Sequence, residues 1–238
     1  MKKRKKSKKP QVLPNVLDLQ NAVLTDREGR SLEAGSLWQH APALVLILRR
    51  PGCIMCRTEA KKLWALRGFF EENGIRPVCI VHEWILPEVA AFNPSFWGGE
   101  VLLDKEKAFY KALGGGVVRK KALWKTLFPW TRAWKNTQRM LKEGIVKDYN
   151  LAVGTTSVLG GLMVVRKGLD GVQYLFTEDT FGDHADQDRV KAEVREACLA
   201  AKPALGSVDG PNAERAPLQA DQKPVPAAGR VPVSAVAR

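Results

Sequence analysis

Ala43-Leu-Val-Leu-Ile-Leu48 is an unbroken apolar run of strand length, fenced by Pro42 before it and Arg49-Arg-Pro-Gly52 after it. A run of this kind reads as a strand buried on both faces, so it calls for a sheet covered by further layers on either side. From Cys53 to Glu72 the apolar residues Leu63, Leu66 and Phe70 fall at helical spacing, and Asn73-Gly74 supplies a left-handed stop. A second buried strand, Val78-Cys-Ile-Val81, follows. Strand, helix and strand in that order predict a right-handed parallel crossover, and therefore an α/β fold.

The pattern extends in both directions. Val16 to Leu24, Thr25 to Gly29 and Arg30 to Leu32 read as a strand, a tight turn and a return strand. Glu100 to Leu103 is a further strand, and Asp104 is a cap for a helix Lys105 to Leu113 that three glycines end. Leu162–Val165 and Val172–Phe176, joined through Lys167–Gly171, read as an antiparallel hairpin, and Gln187 to Ala200 as a closing amphipathic helix. The longest apolar stretch is about eight residues, against the roughly twenty that a membrane-spanning helix needs.

Charge separates the folded part from its appendages. The chain carries 38 basic and 25 acidic residues, a net charge of +13. The excess lies in the opening Lys2–Lys9 cluster and in Arg119 to Lys142, which holds no acid; the remainder is close to neutral. Residues 1–15 read as a basic disordered tail and 201–238 as a Pro/Ala-rich disordered tail, because neither has the large apolar residues that offset ordering entropy. The folded domain is then 16–200, with a basic and aromatic insertion at 117–150. A basic opening followed by Pro10 and Pro14 is not a secretory signal, which points to a cytoplasmic protein, with nuclear or organellar placement also open. Concentrating the cations in a tail and an insertion, and not spreading them over the core of the domain, argues against a specific nucleic-acid protein.

The chemistry centres on Cys53-Ile-Met-Cys56, set between the buried strand and the helix. The first turn of a helix presents unpaired N–H groups and the positive end of the macrodipole, both of which favour a thiolate. Cys53 would sit there, with Arg49 and Arg50 adding positive charge, and Cys56 is spaced to close a disulfide with it. A structural zinc site would need a second ligand pair, whereas Cys79 belongs to a core strand and Cys198 to the last helix. No metal or bound cofactor is expected. None of histidines 40, 82 and 184 is a sequence neighbour of Cys53 or Cys56, and Asp183-His184 reads as loop structure. Trp124, Phe128, Trp130 and Trp134 among the cations of the insertion suit a packed cover, a lid over the thiols or a peripheral contact with an anionic membrane.

Arg49-Arg-Pro-Gly-Cys-Ile-Met-Cys-Arg-Thr-Glu-Ala60 resembles the signature of the peroxiredoxin-like, selenoprotein-U-type family, which includes antioxidant thiol proteins and prostamide/prostaglandin F synthase. Segments Glu88–Phe96, Gly99–Tyr110, Leu159–Val165 and Phe181–His184 are similar to that family in the same order. The resemblance implies a thioredoxin-like (peroxiredoxin-like) mixed sheet flanked by helices. It also implies reduction of hydroperoxides or endoperoxides through Cys53 and Cys56, with thioredoxin or glutathione as reductant. The pattern Pro-x-x-x-Thr-x-x-Cys of typical peroxiredoxins is absent: with its cysteine on Cys56, the Pro and Thr positions hold Arg49 and Cys53. A peroxidase-style nucleophile would thus be Cys56 and a thioredoxin-style one Cys53. The first cysteine of such a pair is usually the more exposed, which favours Cys53. A redox-regulated interaction protein with negligible turnover is the competing reading.

Overall fold

The computed structural model describes residues 12–122, 128–142, 154–155 and 157–201. They lie within one unit, Met1–Pro203; the second, Ala204–Arg238, falls outside the described residues, as does nearly all of the opening tail. Seven strands form one mixed sheet: β1 (Val23–Thr25), β2 (Ser31–Glu33), β3 (Ala43–Ile47), β4 (Arg76–Val81), β5 (Glu100–Leu103), β6 (Gly161–Val165) and β7 (Val172–Thr177), in the order β2-β1-β5-β4-β3-β6-β7. β3 pairs in parallel with β4 and β4 with β5, while β1, β6 and the hairpin partner β7 join antiparallel.

The β3 run is buried along its whole length because it sits inside the sheet and both faces are covered. Leu44 and Leu46 point into a core built with α2 (Ile54–Trp64), α3 (Arg67–Glu72) and α7 (Gln187–Ala200). Ala43, Val45 and Ile47 point into the opposite core, with α1 (Val16–Gln20), α5 (Ala108–Leu113) and Trp38. Alternation along a strand divides the residues between the two cores. Each fully buried Leu or Ile contributes about 1.5–3 kcal/mol to this packing. The remaining helices, α4 (Leu86–Phe92) and α6 (Arg132–Lys142), belong to the thiol-bearing side of the sheet: Phe92 and Met140 join the α2 core.

Three sequence expectations are corrected. Val16 to Leu24 is not one strand: Val16–Gln20 is helix α1, started by Asn15, whose side chain accepts from the Leu17 amide at 3.0 Å. Val16 and Leu19, three apart, are its buried pair, a helical spacing that outweighs the β-branched start. The Cys53–Glu72 helix is two helices. The chain turns at Ala65 and Leu66, and Trp64 packs on Trp97 with ring centroids 5.1 Å apart, close over Gly98 and Gly99, where a Cβ would come within 3 Å of the Trp64 ring. Helix α5 begins at Ala108 rather than Lys105, because Lys107 takes a left-handed conformation at φ 58. Asp104 still caps it, accepting from the amides of Ala108 and Phe109 at 2.9 Å each. The closing helix starts at Gln187 as read, with Asp186 accepting from the Arg189 amide.

Candidate active site

The carboxyl ends of parallel strands are where open α/β sheets hold their sites. β3 ends there, and the chain crosses Leu48–Gly52 into α2. Two interactions fix this turn. The Arg50 guanidinium is gripped by both carboxylate oxygens of Glu88 on α4, and the Gly52 amide donates to the same carboxylate at 3.0 Å. All of these groups are buried, so the cation and carboxylate neutralise one another away from water. Arg57 Nε donates to Pro51 O at 2.8 Å from the following helix.

Cys53 is the residue at which α2 begins, in extended conformation, and the Arg57 amide donates to its carbonyl. The Arg49 guanidinium donates to Cys53 Sγ and lies over the Phe181 ring at 4.5 Å. The Cys56 thiol, set to donate to the same sulfur, does most to stabilise the Cys53 thiolate; Arg49 and the amides of Cys56 and Met55 add to it against desolvation. Together they bring the Cys53 pKa down to about 5. Burial, and then Cys53 itself, push Cys56 the other way, well above the ordinary thiol range. The pair is thus a thiolate held by a neutral thiol.

Two buried carboxyl groups stand beside it. Glu178, at the end of β7, accepts from the Gly160 amide at 2.8 Å and donates its own amide to Gly160 O. Gly160 is required: a Cβ there would meet Ile47 O at 2.4 Å and Arg49 N at 3.2 Å. Burial raises Glu178 to about 7, with Arg49 pulling it down and Cys53 pushing it up. Glu59, one turn beyond Cys56 on α2, accepts from the Ala185 amide at 3.1 Å; burial and the charge of Glu178 raise it to about 8.

A loop and a helix close over the thiols, which are 4% and 5% exposed. The loop Phe181–His184 is tied to α2 by His184 Nε2, 3.0 Å from Met55 O, and Gly182, at φ 77, would bring a Cβ within 3.0 Å of Met55 Sδ. α6 holds the loop from outside: Asn136 Nδ2 donates to Phe181 O at 3.0 Å, and Arg132 pairs with the buried Asp183 at 2.8 Å.

The relatives of the chain agree with this architecture. The profile of the AhpC/TSA antioxidant enzyme family matches residues 62–180. Peroxiredoxin-like 2A of Rattus norvegicus is 34% identical over 161 residues, 68% of this chain and 66% of that protein. The Danio rerio protein of the same name is 33% identical over 179 residues, 72% of this chain and 77% of that one.

The chain belongs to the peroxiredoxin-like family. A solved structure of Xanthomonas campestris peroxiredoxin Q superposes with a TM-score of 0.51 at 12% identity, covering 80% of this chain and 98% of that one, which supports the thioredoxin-type fold. The family profile begins after Cys56, so the thiol pair of this peroxiredoxin-like chain stands on its own geometry.

Of the residues singled out in the sequence, the structure brings Arg49, Cys53 and Cys56 together and turns Arg50 to Glu88. Arg50 therefore holds the turn, and the expectation that it lends charge to the thiolate is replaced by that role. Cys53 is no more exposed than Cys56, contrary to expectation, because Phe181 and Arg49 cover it. His184, remote in sequence, lies beside Met55, one of the two residues between the cysteines. Glu59 and Glu88 lie in segments that resemble the family, but nothing local marks them as buried carboxyls of the site; Glu178 lies outside those segments, and its place beside the thiols needs the fold first. Cys79 and Cys198 are buried in β4 and α7. Among the described residues no three His, Cys, Asp or Glu side chains gather to hold a metal ion. Trp124 lies outside the described residues.

Proposed function

We propose that this peroxiredoxin-like protein is a thiol-dependent oxidoreductase that reduces hydroperoxides or endoperoxides with Cys53 as nucleophile and Cys56 as resolving thiol. The observation that carries this reading is the Arg49 guanidinium on Cys53 Sγ at the start of α2, beside a protonated Cys56. Family membership supports a redox oxidoreductase in general terms.

With a hydroperoxide, the Cys53 thiolate attacks the terminal oxygen. The S–O bond forms as O–O breaks, the sulfur is oxidised by two electrons, and the departing alkoxide takes the hydroperoxide proton to leave as an alcohol. The sulfenate on Cys53 accepts a proton; Glu178, raised to about 7 beside Arg49, is a buried acid able to supply it and recover it from solvent. Cys56 then attacks the oxidised sulfur, S–S forms, S–O breaks, and the Cys56 proton leaves with the hydroxide as water. Thioredoxin or glutathione supplies the two electrons and two protons that reopen the disulfide. A reducing, cytoplasmic compartment suits such a cycle.

The test is peroxide consumption by the full chain and two variants, with intact mass read at each time point. Cys53→Ser abolishes turnover, and Cys56→Ser accumulates a dimedone-reactive sulfenic acid on Cys53. Undiminished turnover in Cys53→Ser overturns the assignment. Oxidation too slow for turnover, with a disulfide that alters partner affinity, transfers the case to the redox-regulated interaction protein.

A further inference from the structure

Helix α6 has three chemically different sides. Ala133, Asn136 and Met140 are buried toward the core. Arg132, Lys135, Arg139 and Lys142 recur at intervals of three, four and three residues, which lines four exposed cations along one stripe. The remaining arc carries Trp134, half-buried, and Leu141, 48% exposed; Trp130 is 75% exposed in the turn that enters the helix. Arg132 is engaged with Asp183, but among the described residues no carboxylate pairs with Lys135, Arg139 or Lys142. No acid occurs anywhere between Arg119 and Lys142.

We propose that this outward side of α6 is a docking surface for the anionic face of a phospholipid bilayer. Three unpaired cations in a row complement a sheet of headgroup charge, and exposed indole and leucine side chains beside them enter the headgroup and acyl boundary, the arrangement of an interfacial helix. Leu141 is what favours lipid over a single-stranded nucleic acid, since the latter draws its affinity from cations and stacking aromatics and gains little from an exposed aliphatic side chain. The helix is already folded against α2, so docking requires no ordering of the segment, and the bound orientation turns the cover of the thiols toward the membrane. This inference concerns a surface and stands apart from the proposed chemistry of the cysteines.

The experiment is flotation of the full chain with phosphatidylcholine vesicles, with and without phosphatidylserine. Binding requires phosphatidylserine and weakens with salt. Replacing Lys135, Arg139 and Lys142 together by Gln lowers the partition coefficient roughly a hundredfold with circular dichroism unchanged. Should the triple variant lose helicity, each single replacement gives a drop of roughly fivefold. Trp130→Gln with Leu141→Gln weakens vesicle binding and leaves binding to polyuridylate unchanged. Three results overturn the proposal: no binding to phosphatidylserine vesicles; binding indifferent to the α6 cations, which would assign it to Lys2–Lys9; or polyuridylate bound as tightly as vesicles with Trp130 and Leu141 dispensable.

Discussion

The hydrogen bond from the Cys56 thiol, with the Arg49 guanidinium beside it, decides which sulfur of the pair is ionised. At neutral pH Cys53, held at about 5, is a thiolate and Cys56 a thiol, so alkylation of Cys53 rises through a pH near 5 and is flat above it. Arg49→Met moves that midpoint upward and slows Cys53 oxidation at pH 5.5 by roughly threefold for the first pKa unit gained and by nearly tenfold for each further one, as read by stopped-flow fluorescence. The carboxyls beside the pair have the opposite signature. Glu59 ionises at about 8 in the folded chain and near 4.5 when unfolded, so its protonated form stabilises the fold fully below pH 4.5. That contribution is lost as pH rises from 4.5 through 8. Glu59→Gln keeps an acceptor for the Ala185 amide without the ionisation, and its melting temperature relative to the parent climbs by several degrees between pH 5 and pH 8.5. A difference that is constant with pH would mean that Glu59 ionises normally.

Elements carry the enclosure of the site, and here the loop Phe181–His184 is the weak member. Its hold on α6 includes the amide of Asn136 and the ion pair of Arg132. Removing a buried side-chain hydrogen bond costs about 1 kcal/mol. Asn136→Ala thus loosens the loop without unfolding the chain, and Cys53 alkylation at pH 7 quickens severalfold while the global melting curve moves little. An unchanged rate would show that access to the sulfur does not pass under Phe181. Legibility in the sequence also sorts by element. β3, β4, the β6–β7 hairpin and α7 were readable because each is an apolar run or a clean amphipathic pattern with turn residues at both ends. α1 was not, since Val16-Leu-Asp-Leu fits either period over so short a span. α6 was not either, because its stripe of cations outweighs three small or flexible buried residues in any reading of hydropathy.

At the scale of the molecule, the order of the sheet does what no local pattern announces. It takes Cys53 at the end of β3 and brings to it Glu88 from α4, Glu178 from β7 and His184 from the approach to α7, residues up to 131 positions away in the chain. The thiol pair and the neighbouring Arg49 were legible from the segment between a strand and a helix; the carboxyl environment of the pair was written in long-range topology. Among the described residues no helix is long and apolar enough to cross a membrane, and the sheet is covered on both faces. The same helix that begins at Cys53 ends at Trp64, whose ring sits 5.1 Å from that of Trp97 at an interplanar angle of 52°. Two indoles that close and that skewed couple as transition dipoles, so the near-ultraviolet circular dichroism of the protein carries a built-in optical gauge of any rotation of α2, with no label attached.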